Sequence, residues 1–202
     1  VYGGLNHIII NHNGSFSVNP IVISDTRKKE FNSRLMLFFT GIARTSAEIA
    51  KEQVKTTKDK TAQLSQMSSL VDDACRILTS ETENLDDFGK LLHETWMLKR
   101  SLTDKISNSL IDEIYATGIK NGALGGKVLG AGGGGFILFY AQPEKQSQIK
   151  KALRNLIHVP FKFDDQGCQI ILYAPKQYHS STYEKLDYIH LQNQNEKIKL
   201  RP

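Results

Sequence analysis

Five glycines in six positions, Gly130-Ala131-Gly132-Gly133-Gly134-Gly135, stand between Lys127-Val128-Leu129 and the apolar run Phe136–Tyr140 (FILFY). Each glycine costs conformational entropy when it is ordered, so a plain turn would use one or two. Two readings account for the run. Without side chains, main-chain N–H groups can gather around an anion, the nest geometry that suits phosphate oxygens; alternatively, a tight hairpin packs closely against another backbone. The run matches G-x-G-x-x-G literally, but a dinucleotide fingerprint opens a helix, and Gly135 runs straight into FILFY. No Gly-Lys-Ser/Thr follows at P-loop spacing.

The surrounding pattern sets the fold class. Lys127–Leu129 and Phe136–Tyr140 read as strands, Glu144–Leu156 as a helix, and His158–Phe163 and Gln169–Tyr173 as two closing strands about a turn at Asp164–Gly167. Upstream, Leu35–Thr40 (LMLFFT) is a short apolar strand of the kind buried on both faces, ending at Gly41 before a helix that starts near Thr45-Ser46. Three more helices are predicted. The first spans Ala62–Leu78. The second runs from Leu85 to about Lys99 behind an Asn84 cap, with Asp86 and Asp87 favourable to its dipole. The third carries Leu110 to Ile119, is capped by Ser107 or Ser109, and ends at Gly122, Gly125 and Gly126. Leu5–Ile10 and Ser15–Ile23 form a hairpin whose Asn13-Gly14 predicts a type I′ turn. The order is α+β, a ferredoxin-like split β-α-β arrangement with inserted helices. From Pro175 the chain is polar and aperiodic, which predicts a loosely attached tail.

Composition narrows the function classes. The chain of 202 residues has no apolar run near the length of a membrane span, and Val1-Tyr2-Gly3-Gly4 carries neither the basic nor the apolar region of a signal peptide. Cys75 and Cys168 make no disulfide framework and fit a reducing compartment; the expectation is a cytoplasmic protein that engages no membrane. The whole net charge of +5 arises within residues 27–60, where nine Lys/Arg face four acids. Residues 43–62 lack any aromatic for base stacking, so no nucleic acid is expected as partner, and local steering of a small anion is the better use of the charge.

Beyond the loop, Arg44 lies where a strand meets a helix start, the place where unpaired N–H groups and a guanidinium can grip phosphate; the alternative is a solvated Arg44 beside a Thr45 or Ser46 cap. Lys99 and Arg100 fall at a helix C-terminus, where the dipole alone accounts for cations. His7, His12, His93, His158, His179 and His190 show no metal spacing, and no metal-ligating residue is proposed. Trp96 belongs to the core.

As a set, GGLN (3–6), RLMLFFTGIAR (34–44), LLHETWMLKRSLTDKISN (91–108), ALGGKVLGAGGGGFILFY (123–140) and FKFDDQGCQIILYAP (161–175) resemble the C-terminal part of the GHMP kinases, and within them the bacterial D-glycero-D-manno-heptose 7-phosphate kinases. That resemblance implies a C-terminal domain over 31–175, a hairpin remnant of the N-terminal domain over 1–30, and a tail over 176–202. It implies ATP and Mg²⁺, and a small-molecule sugar phosphate as acceptor, phosphorylated at the anomeric hydroxyl of a heptose 7-phosphate. A fucokinase-like or other GHMP sugar kinase, or a non-catalytic ligand-binding remnant, is the alternative. Gly130–Gly135 would shape the active site, Arg44 would grip the sugar's phosphate, Gly3 and Gly4 would lie by the sugar, and Lys99 and Arg100 would touch an anion. The family's nucleotide-cradling motif has no counterpart in these residues and its catalytic base would fall just upstream of Tyr2, so the expectation is a truncated chain that does not turn over efficiently alone.

Overall fold

The apolar strand Leu35–Phe39 (β3) is the axis of a four-stranded antiparallel sheet. Its flanks are taken by Phe136–Tyr140 (β5) and Ile157–Val159 (β6), and Gly125–Val128 (β4) completes the order β4-β5-β3-β6. Counted among these four strands alone, the order is 2-3-1-4, that of a split β-α-β fold. The computed structural model describes residues 2–42 and 46–171. It divides into the compact units Val1–Gly167 and Cys168–Pro202, and all elements named here lie in the first.

Two strands, Asn6–Ile10 (β1) and Phe16–Pro20 (β2), form an antiparallel hairpin. They are followed by helix Asp25–Ser33 (α1), β3, helix Ser46–Thr56 (α2), a 3₁₀ turn, helix Thr61–Thr79 (α3), helix Asp86–Arg100 (α4), helix Ser109–Lys120 (α5), β4, β5, helix Pro143–Ala152 (α6) and β6. The alternation of β3 buries Met36 and Phe38, which meet Phe139 and Ile137 across the ladder. With Trp96, Ile111, Ile114, Tyr115, Val128 and Ile149 they make the main core. A smaller cluster joins Phe31, Ile77, Leu78, Leu85 and Tyr140.

Several expectations are corrected. Helix α1 was not anticipated; Ser24 caps it by accepting from Arg27 N, and Phe31 and Arg27 bury its inner side. The hairpin turn is not type I′. Only Gly14 has positive φ, and Gly14 N donates to Asn11 O while Asn11 N donates to Ser15 O, a type I turn closed by a glycine bulge. Asn108, not a serine, caps α5, its Oδ1 accepting from Ile111 N. The cap position of α4 is Leu85 rather than Asn84, whose Oδ1 accepts from Asp86 N one residue ahead of it.

Of the glycines expected to end α5, only Gly122 does so; Gly125 and Gly126 lie inside β4. A Cβ at Gly125 would stand 2.0 Å from Gly89 O of α4, so these glycines exist for close helix–sheet packing. Helix α6 stops at Ala152, short of Leu156, and the strand expected over His158–Phe163 shrinks to β6. Residues 169–171 are irregular rather than a second closing strand; Leu172, Tyr173 and the tail over 176–202 lie outside the described residues.

Candidate functional site

The glycine loop is clamped from two sides. On one, Thr40 N and Oγ1 donate to Gly135 O at 2.9 and 2.8 Å, and Gly135 N donates to Ile42 O. On the other, Gly133 N donates to the carbonyl of the fully buried Ile106, and Asn108 Nδ2 donates to Gly133 O at 3.3 Å. Asn108 thus ties the cap of α5 to the loop with a single side chain. Each glycine has a local reason. A Cβ would meet Ile106 O at 2.7 Å from Gly132 and Ile42 O at 2.6 Å from Gly134, while Gly130 and Gly135 have open space but φ of +77° and +83°. The two readings of the run therefore coexist: close backbone packing holds its inner side, and its ends remain open.

What distinguishes the loop from an ordinary hairpin is the sense of its hydrogen bonds. Gly130 O accepts from Lys99 Nζ at 2.6 Å, Ala131 O from Gln53 Nε2 at a long 3.5 Å, and the carbonyls of Gly133 and Gly135 from the donors above. The N–H groups of Gly130, Ala131, Gly132 and Gly134 have no acceptor among the described residues. Four of the six carbonyls are engaged, those of Gly132 and Gly134 having no donor among the described residues, against two of the six N–H groups, so spare donors outnumber spare acceptors, the polarity that suits an anion.

Lys99, at the end of α4, is accompanied by Lys127, which lies three residues before the glycine run and carries no local sign of a role. Lys127 lies in β4 opposite Leu138, on the face alternate to Val128 and Ile137. Burial pulls Lys99 down to about 8, reinforced by the neighbouring Lys127, and burial also lowers Lys127. Arg100 turns away to Asp112, 2.9 Å distant, whose other oxygen accepts from Ser107 Oγ. Arg44 lies outside the described residues.

Gly3 and Gly4 form a separate place. Both have positive φ, Gly4 N donates to Asp164 O, and a Cβ at Gly3 would stand 2.4 Å from Gly167 N. They line a cavity of about 370 Å³ with Tyr2, Leu5, Lys28 and Asp165, the last two forming an ion pair at 2.5 Å. The loop is not part of that cavity. Among the described residues no group of three or more His, Cys, Asp or Glu could hold a metal ion, and no helix is long and apolar enough to cross a membrane. Trp96 is wholly buried.

Residues 72–158 match the family described as GHMP kinases C terminal, a span that holds β4, the glycine loop and β5, while the axial strand β3 precedes it. Through these residues the chain carries a GHMP kinase C-terminal domain. Among curated relatives, the D-glycero-alpha-D-manno-heptose 7-phosphate kinase of Campylobacter jejuni is 33% identical over 157 residues, 76% of this chain and 45% of that protein. This chain therefore spans under half the length of that relative. The fold is shared with L. major mevalonate kinase in complex with R-mevalonate (TM-score 0.62, 23% identity, 78% of this chain and 48% of that one). It is shared as well with a D-glycero-D-manno-heptose 1-phosphate kinase from Bacteroides thetaiotaomicron (TM-score 0.56, 23% identity, 86% and 47%).

Proposed function

We propose that this chain contributes the glycine-loop part of an ATP-dependent sugar kinase whose acceptor is the anomeric hydroxyl of a heptose 7-phosphate. On this reading residues 31–175 are the C-terminal domain, residues 1–30 belong to the N-terminal domain of such a kinase, and residues 176–202 are a polar tail. The observation that carries the reading is the polarity of residues 130–135, four of whose carbonyls accept from protein donors while the N–H groups of Gly130, Ala131, Gly132 and Gly134 have no acceptor among the described residues. Phosphoryl transfer needs little covalent chemistry from the protein. It needs preorganised donors and cations around the charge that spreads over the phosphoryl oxygens. The heptose acceptor draws its support from the Campylobacter jejuni relative.

The Mg²⁺ that accompanies ATP in such enzymes finds no ligand cluster among the described residues, and the ionisable side chains identified at the loop are ammonium groups. The role proposed here is accordingly confined to phosphoryl oxygens, and no residue of this chain is assigned as the base for the acceptor hydroxyl. The test is amide NMR of the 202-residue chain titrated separately with ATP, D-glycero-D-manno-heptose 7-phosphate and L-fucose. ATP is expected to move the resonances of Gly130, Ala131 and Gly134; the heptose phosphate, but not fucose, is expected to move Gly3 and Gly4. Loop amides that stay in place throughout the ATP titration overturn the kinase reading.

A further inference from the structure

We infer that Lys99 and Lys127 together form a two-ammonium seat for a phosphoryl group at the mouth of the glycine loop. The inference rests on the kinase reading above and adds the side chains that hold the charge. A lysine in the last turn of a helix ordinarily points to water and serves the dipole. Lys99 instead lies over the loop and spends one of its three N–H bonds on Gly130 O at 2.6 Å, leaving two. Lys127 makes no hydrogen bond to a described residue, although its ammonium is partly withdrawn from water.

The contrast with the other cations is informative. Lys28, Arg34, Lys55, Arg76, Lys90 and Arg100 each have a carboxylate within salt-bridge distance, the buried Arg27 is held by two main-chain carbonyls, and most of the remaining described cations are exposed to water; Lys99 and Lys127 are withdrawn from water and have no carboxylate among the described residues. Two neighbouring ammonium groups, both desolvated and without an acid, disfavour each other and the folded state. The strand register nevertheless holds Lys127 there, with Lys99 anchored beside the spare N–H groups of Gly130 and Ala131. A multiply charged phosphoryl group supplies the missing counter-charge to both lysines and an acceptor to the amides.

Calorimetric titration of the 202-residue chain with ADP and, separately, with D-glycero-D-manno-heptose 7-phosphate tests the seat. The variants are Lys99→Gln, Lys127→Met, Lys127→Arg and, as a charge control on α6, Lys151→Gln. Loss of one charge-assisted bond weakens binding about 10–100-fold in Lys99→Gln and Lys127→Met. Lys127→Arg retains binding, and Lys151→Gln changes it by no more than about threefold. Because a disfavoured charge is removed, Lys127→Met also raises Tm, by about 2–4 °C.

Weakening of ADP alone assigns the seat to the nucleotide, and weakening of the heptose phosphate alone assigns it to the sugar; either supports it. If Lys99→Gln and Lys127→Met bind both compounds as the parent does while loop amides still respond to ATP, the seat falls and the glycine-loop reading stands. If Lys127→Met loses both binding and Tm, the lysine is structural and the seat falls. If the parent chain binds neither compound, the seat falls together with the kinase reading.

Discussion

Arg34 and Lys127 are cations on one sheet, the first just before β3 and the second within β4, and the protein treats them in opposite ways. Burial works against the charge of Arg34, but Tyr140, Asp86 and Glu30 outweigh it and leave the guanidinium more basic than usual. Asp86 lies at 2.5 Å and Glu30 at 2.5 Å, and the second oxygen of Asp86 accepts from Gln142 Nε2. One buried network therefore joins α1, the start of β3, the N-terminus of α4 and the segment entering α6. Lys127, and Lys99 beside it, have no such partners among the described residues. Where the fold requires cohesion it matches a charge with carboxylates. At the loop it leaves ammonium groups bare, and the cost in stability marks the place where an external anion is expected.

The largest effect that can break this comparison is removal of the matched carboxylate. Asp86→Ala leaves Arg34 with Glu30 as its one carboxylate and Gln142 Nε2 without its acceptor, and is expected to cost about 2–4 kcal/mol in urea unfolding. Lys127→Met should change stability in the opposite direction. If Asp86→Ala is nearly neutral, the distinction between matched and unmatched cations fails.

The loop offers a smaller, internal contrast. Gly132→Ala combines a φ of +114° with a Cβ 2.7 Å from Ile106 O, and the sum is expected to cost about 1–3 kcal/mol. Gly130→Ala meets only the left-handed conformation, in open space, and is expected to cost about 1 kcal/mol. Both alter the backbone that presents the free N–H groups, so both should reduce the response of the loop amides to ATP. Asn108→Ala removes the cap of α5 and the bond to Gly133 O, for about 1 kcal/mol of stability and a looser loop by hydrogen exchange.

These residues also show what could be read in advance. The apolar runs LMLFFT and FILFY, the helical spacing of Leu64 to Leu78, and the glycine run identify the sheet, α3 and the loop, because burial imposes a period on the sequence. Helix α1 was missed because DTRKKEFNS contributes a single large apolar residue, Phe31; its inner side is completed by Arg27, whose Nη2 donates to Ile77 O and Glu83 O. A buried arginine on main-chain carbonyls leaves no hydrophobic period to find. Lys127 went unassigned for a related reason. Alternation tells which strand residues share a face, but not that the end of α4 lies over one of them. Gly3 and Gly4, placed by the sugar through resemblance, sit against residues 164–167, Gly4 N donating to Asp164 O and Gly3 packing on Gly167 and Asp165, and contacts across about 160 positions leave no local trace.

The smallest expected effect isolates Lys99. Its folded-state value of about 8 lies below the usual lysine value, so the unfolded chain holds this proton more tightly. Stability therefore carries a penalty below pH 8, and the penalty is relieved as pH rises from about 8 toward 10.5, where the unfolded lysine also loses its proton. Lys99 is partly exposed, and solvent screening reduces the gain to about 1 kcal/mol at most. Burial raises Tyr115 and Tyr140, opposed by Arg100 and Arg34 respectively; their unfolded forms ionise from about pH 10, which destabilises the fold there. The window for Lys99 is thus pH 8 to 10. Urea midpoints of the parent chain should rise slightly across it, while those of Lys99→Gln should rise less, by the part that Lys127 alone supplies. Saturation with ADP should abolish the rise, because a phosphoryl group beside Lys99 restores its affinity for the proton. A parent and variant that climb in parallel would show that the ammonium at the loop is as well solvated as any surface lysine, and the contrast with Arg34 would lose its physical basis.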